Sequence, residues 1–164
     1  MTTMRFLLPA GIATVLTLAS AISFVRAAEV AVGTLRITSA WARATPPGAS
    51  VGAAYATIEN RGEADDRLLS AASPAARAVE LHQTIEENGM AKMRPLEDAV
   101  APAAGALEMR PGGTHIMLVG LAAPLKAGET VPVTLLFETA GAVTVDLIVA
   151  PIGADGPPDA HHAH

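Results

Sequence analysis

His115-Ile116-Met117 carries an imidazole and a thioether two residues apart. On an extended strand, positions i and i+2 point to one face. The two groups therefore emerge side by side, about 7 Å apart at Cα, and Ile116 turns the other way. His82 closes an alternating run, Val79-Glu80-Leu81-His82, and Met93 follows Asn88-Gly89. Asn-Gly is the strongest short hairpin signal, because both positions accept φ > 0. His82 and Met93 thus lie on opposite arms of one predicted hairpin and can approach each other. Two imidazoles and two thioethers form a soft, uncharged donor set. It suits copper(I) and binds zinc, magnesium or calcium poorly. A net +1 centre results, which favours the reduced ion and permits exchange with a partner. Imidazole ligands must be neutral, so affinity should weaken as pH falls through about 6.5, the free imidazole value.

Taken singly, each of these residues has a plainer reading. Methionine is a common filler of irregular core gaps, and a lone histidine is more often a satisfied core or surface residue. Met90, three before Met93, faces the other side of a regular strand and reads as core or as a contact beside the site. Met109 reads as packing, and Trp41 and Tyr55 as structural core. Gly48-Ala49-Ser50-Val51-Gly52 has the form of a hydrolase elbow. That motif needs a strand before it and a helix after it; here Pro46-Pro47 precedes and a strand pattern follows, so it reads as a turn. No H-E-x-x-H or phosphate-binding glycine loop occurs.

The elements that must position these side chains read as strands. Thr34–Thr38, Ala54–Ile58, Val79–Ile85, Met90–Arg94, Ala106–Met109, His115–Val119, Val131–Glu138 and Val143–Val149 are short apolar or β-branched runs. Glu59-Asn60-Arg61-Gly62, Pro111-Gly112-Gly113, Lys126-Ala127-Gly128 and Ala140-Gly141 punctuate them. Strands at this spacing with no convincing helix predict an all-β sandwich or barrel. Pro132 inside a strand pattern predicts an edge position or a strand start. No internal repeat is evident.

The chain of 164 residues has room for one domain. Residues 1–27 read as a signal peptide: Arg5, an apolar run from Phe6 to Val25, then Arg26-Ala27-Ala28 as a small-residue exit. An uncleaved anchor is the alternative, the run being nearly long enough to span. Removing a leader that holds Arg5 and Arg26 and no acids leaves 9 basic against 16 acidic side chains, a net charge of −7. That balance argues against nucleic acid and against anionic membrane surfaces. No stable membrane insertion is expected once the leader is cleaved. The expected location is the periplasm. With no cysteine, disulfides, thiol nucleophiles, Cys-zinc sites and blue-copper centres are all excluded. The domain is expected over 28–150 and a disordered tail over 151–164, poor in apolar residues. That tail ends in His161, His162 and His164, a candidate second site for copper(II), which prefers nitrogen and oxygen donors.

The spacing carries a resemblance. His82 is followed by ten residues and Met93, then by twenty-one residues and His115-Ile116-Met117. Around them stand Ala40-Trp41-Ala42-Arg43-Ala44-Thr45-Pro46-Pro47-Gly48, Gly52-Ala53-Ala54-Tyr55, Lys92-Met93-Arg94-Pro95 and Pro111-Gly112-Gly113-Thr114. In these features, from about Gly33 to Val149, the sequence resembles the periplasmic copper chaperones of the PCu(A)C type. Many members have Met directly after the first His; here it is Gln83. The resemblance implies a cupredoxin-like Greek-key β-sandwich with copper(I) on His82, Met93, His115 and Met117. It implies a carrier rather than an enzyme, delivering copper to a cytochrome c oxidase subunit or its assembly factor. Copper sequestration for tolerance and a metal-free β-sandwich interaction module are the alternatives.

Overall fold

The computed structural model describes residues 29–158, and every regular element in it is a strand. These are β1 (Val30–Val32), β2 (Leu35–Arg43), β3 (Val51–Asn60), β4 (Asp66–Ala72), β5 (Ala76–Glu87), β6 (Met90–Leu96), β7 (Ala99–Ala101), β8 (Gly105–Glu108), β9 (Thr114–Leu121), β10 (Thr130–Phe137) and β11 (Gly141–Ala150). The expected leader, residues 1–27, and the tail histidines His161, His162 and His164 lie outside the described residues.

The hydrogen-bonded order is β6-β5-β9-β3-β2-β11-β10-β4-β7, with β1 on β2 and β8 on β3. All pairings are antiparallel except β11 with β2. The path curls until β4 meets β5, giving the all-β, cupredoxin-like architecture expected. One face of nearly every strand fills a single core, with Ile37, Ile58, Leu68, Ile116, Leu118, Val133 and Phe137 fully buried. β10 alternates buried and open positions along its length, as a strand covered on one face must. β11 alternates at first, then buries Leu147-Ile148-Val149-Ala150 without interruption. Its last residues pair with β2 at Trp41–Arg43, where both faces are covered.

Three strands were not anticipated: β1, β4 and β7. β4 begins with Asp66-Arg67 and ends in alanines, residues with little strand preference; pairing with β10 and β7 makes it extended. Pro132 sits near the start of β10, beyond the end of the β4 register at Ala72↔Thr134. Its missing N–H therefore interrupts no ladder to β4, and its carbonyl accepts a hydrogen bond from the Ser73 hydroxyl at 2.8 Å. The Gly48–Gly52 segment is a turn leading into β3, with the Ala49 N–H donating to the Pro46 carbonyl.

Two backbone features place the site. Asn88 and Gly89 both have positive φ, 55° and 75°, so the β5–β6 hairpin closes on the turn its sequence predicts. In β2, Ser39 has φ 49° and the register with β3 slips between Thr38 and Trp41. This bulge turns Trp41 away from the main core and onto the opposite face of the sheet, where it packs with Tyr55 and Ala150.

Candidate metal centre

The pairing of β5 with β9 sets His82 directly opposite His115, and Glu80 directly opposite Met117. Met117 in turn faces Ala53 of β3. On β6, Met93 is opposite Thr84, and His82 is opposite Pro95. Because Thr84, His82 and Glu80 alternate along β5, all four predicted residues share one face. Met93 reaches His82 diagonally rather than head-on, a distance long side chains span. Ile116 and Leu118 fill the core behind this face, as the two-residue period requires.

Met93, His115 and Met117 line a pocket of about 320 Å³. Its other walls come from the segment Arg43–Pro46, from Val51–Ala53 and from Ile152. His82 adjoins it through His115, the two ring centroids being 6.0 Å apart. The site grades from buried to open: His115 is 6% exposed and Met93 59%. Among the described residues no three His, Cys, Asp or Glu side chains are placed to hold a metal. The soft donors that the site adds to its two imidazoles are the thioethers of Met93 and Met117.

The hydrogen bonds fix which nitrogen of each ring donates, and so where a neutral ring has its lone pair. His115 Nδ1 lies 2.9 Å from the Gly113 carbonyl oxygen. A carbonyl only accepts, so Nδ1 carries the proton and the lone pair is on Nε2. His82 Nε2 lies 2.8 Å from Glu80 Oε2. A carboxylate likewise accepts, so Nε2 is protonated and the lone pair is on Nδ1. That Nδ1 is buried and has no hydrogen-bond partner. A buried polar nitrogen without a partner is costly; a metal ion with thioethers at hand would satisfy it. The residues present therefore fit a soft cation.

The structure corrects one expectation and refines two others. Met90, expected in the core or as a contact beside the site, is 59% exposed beside the hairpin turn, opposite Glu87. Trp41 and Tyr55 are buried as structural core, as expected, but in a small cluster of their own flanking the site. Their rings are 4.5 Å apart, and Tyr55 is 6.5 Å from His115. An aromatic row, Trp41–Tyr55–His115–His82, thus backs the pocket. No spacing rule would have found it, because the Ser39 bulge decides which way Trp41 points. Burial pushes the Tyr55 phenol above its usual pKa, with Arg43 pulling against it. Met109 is buried in the main core, as expected.

The chain continues past β11 against this same cluster. The Arg43 guanidinium donates twice to the Ala154 carbonyl, at 2.9 and 2.6 Å. It also lies 3.6 Å from Asp155 and 5.8 Å from the centre of the Tyr55 ring. Ala154 packs on the Trp41–Tyr55 cluster and Ile152 reaches the pocket wall. The first residues of the stretch expected as a tail are thus part of the pocket's surround.

Residues 35–149 match the family of LpqE-like putative lipoproteins. The chain belongs to that family. A putative lipoprotein of Leifsonia xyli subsp. xyli is 38% identical over 105 residues, 63% of this chain and 62% of that protein. An uncharacterized protein of Rickettsia prowazekii is 29% identical over 102 residues, covering 60% of this chain and 56% of that protein. The LpqE-like chain therefore spans about three fifths of the curated relatives it matches. Among solved structures, a copper-bound PCuAC domain from PmoF2 superposes with a TM-score of 0.66 at 30% identity, covering 76% of this chain and 98% of that one. The copper(I) form of DR1885 from Deinococcus radiodurans gives 0.58 at 34% identity, covering 74% and 80%. The fold of this LpqE-like protein is that of the PCuAC domains.

Proposed function

We propose that this protein is an exported copper(I) carrier, and that His82, Met93, His115 and Met117 hold the ion. The observation that carries the reading is the convergence of two imidazoles and two thioethers on one sheet face. They come from three different strands, and His82 has a buried, unpartnered nitrogen. Two structurally similar domains are described as copper-bound and as a copper(I) form, which supports the choice of metal. A soft, neutral, partly open site is suited to transfer: the ligand of an acceptor attacks the exposed ion, and the weakly held thioethers leave first. The protein acts by binding and handing over, not by catalysis.

The proposed location is the periplasm, reached through the leader at 1–27; the relative described as a putative lipoprotein supports export. The proposed acceptor is a cytochrome c oxidase subunit or its assembly factor. The histidines at 161, 162 and 164 remain a proposed copper(II) site.

The test is an anaerobic copper(I) titration against a chromogenic chelator. It compares the mature chain, a form ending at Gly156, and Met93→Ala with Met117→Ala. One copper(I) bound tightly by the first two and not by the double variant supports the site; three equal curves defeat it. Transfer is tested by mixing the loaded protein with an apo oxidase copper domain. Copper that stays put, with copper sensitivity as the deletion phenotype, would make sequestration the function instead.

A further inference from the structure

Glu80 takes no part in the four-ligand reading, yet it stands against two of the four residues. It is the cross-strand partner of Met117 and lies two residues from His82 on the same strand face. Its Oε2 is 2.8 Å from His82 Nε2. About half of its side chain is exposed, against 15% for His82. The Glu80 carboxylate is hydrogen-bonded to the imidazole of His82.

Two lone pairs are left free by the hydrogen bonds of the site, and they are on different ring atoms. His115 is held through Nδ1 by a backbone carbonyl that cannot move without moving the loop at Gly113. His82 is held through Nε2 by a side chain alone. Without that acceptor, His82 would be free to exchange its proton between nitrogens and to turn its ring. Histidines that bind metals commonly donate their second N–H to a carboxylate or carbonyl, which sets tautomer and ring orientation. Both histidines here have such a partner, one on each type of ring nitrogen.

Resting on the copper reading of the site, we propose that Glu80 is a positioning residue that makes His82 bind through Nδ1, while His115 binds through Nε2. The same hydrogen bond keeps the carboxylate occupied and outside the metal's coordination sphere. A free Glu80 oxygen beside two imidazoles would be a harder donor set, better matched to zinc or copper(II) than to copper(I).

The experiment is long-range 1H–15N correlation NMR on the 15N-labelled mature protein, without metal and with one equivalent of copper(I), for wild type, Glu80→Ala and Glu80→Gln. Without metal, the wild type is expected to hold the proton of His82 on Nε2 and that of His115 on Nδ1. Copper(I) is expected to shift His82 Nδ1 and His115 Nε2. Glu80→Ala should give a mixed tautomer at His82 only, and a copper(I) affinity lower by about 10-fold, the low end for losing such a partner. In Glu80→Gln the amide oxygen can accept the same N–H, so tautomer and affinity should be restored. Copper shifting His82 Nε2, or an unchanged His82 pattern in Glu80→Ala, overturns the proposal while leaving the four-ligand site intact. Failure of Gln to rescue also overturns it, since charge rather than hydrogen bonding would then be the role of Glu80. A wild type that binds no copper(I) overturns the site and this proposal together.

Discussion

His82 and His115 face each other across adjacent antiparallel strands, with ring centroids 6.0 Å apart. Thirty-two residues of chain separate them, and the β5–β9 register alone brings them together. A slip of one residue would turn every side chain of β5 to the other face. Leu81 and Ile116, both buried and also directly opposite each other, prevent it. The core contact behind the site therefore fixes the pair in front.

The first prediction concerns the ligands. Removing one strongly placed donor should weaken copper(I) binding by about 100-fold, equivalent to about 2.8 kcal/mol, in His82→Ala, His115→Ala and Met117→Ala. Met93 is the most exposed of the four, on an edge strand. Met93→Ala is expected to act mainly by speeding release, which stopped-flow transfer to a chelator would read. Equal release rates for Met93→Ala and wild type would remove it from the site.

Tyr55 gives the second. It is buried between Trp41 and His115, so Tyr55→Ala should cost about 3–5 kcal/mol of stability, as large aromatic truncations do. Tyr55→Phe keeps the ring and should unfold in urea close to wild type, with copper(I) affinity retained. A large loss of affinity in Tyr55→Phe would mean that the phenol, not the ring, serves the site.

The third concerns pH. Burial by itself pushes the Asp66 carboxyl up, but the backbone N–H groups of Thr139, Ala140 and Arg67 donate to it, and the net effect holds its pKa below the usual value. A carboxyl depressed on folding contributes stability above its unfolded pKa, about 3.9 for Asp. That contribution is lost as pH falls through the lower, folded value. Asp66→Asn should destabilise the protein by about 2 kcal/mol at neutral pH, the scale of hydrogen bonds to a charged group. The gap to wild type should shrink on acidification below about pH 3.9. Urea unfolding at several pH values reads this; a constant gap would refute it.

The fourth concerns the segment after β11. Arg43→Ala removes both hydrogen bonds to the Ala154 carbonyl and should free residues 151–155 from the Trp41–Tyr55 face. Hydrogen exchange in that segment should rise sharply while β11 stays protected. Copper(I) binding should persist, because none of the four proposed ligands contacts Arg43 through a hydrogen bond. Unchanged exchange would mean that Ala154 packing alone retains the segment.

Much of this architecture was legible in the chain. The two-residue period of His115-Ile116-Met117 placed imidazole and thioether on one face, and the structure has them so. Asn88-Gly89 announced its hairpin, because two adjacent positive φ values need residues of that kind. The strand runs around Ile58, Leu118 and Val133 announced the core, because apolar side chains at that period have one face to bury. β4 was hidden, since alanine and charged residues extend there only when neighbours supply the ladder.

What the sequence determined by itself was local: strand period, the turn at Asn88-Gly89, and the soft chemistry of two histidines and two methionines at fixed separations. These follow from backbone sterics and donor atoms, which neighbouring residues settle among themselves. What only the tertiary structure decided was non-local. The β5–β9 register sets His82 against His115 and Glu80 against Met117. The bulge at Ser39 swings Trp41 to the site side. Arg43 ties the chain after β11 to the pocket. Each depends on contacts between segments far apart in sequence, whose partners are chosen by how the whole core packs.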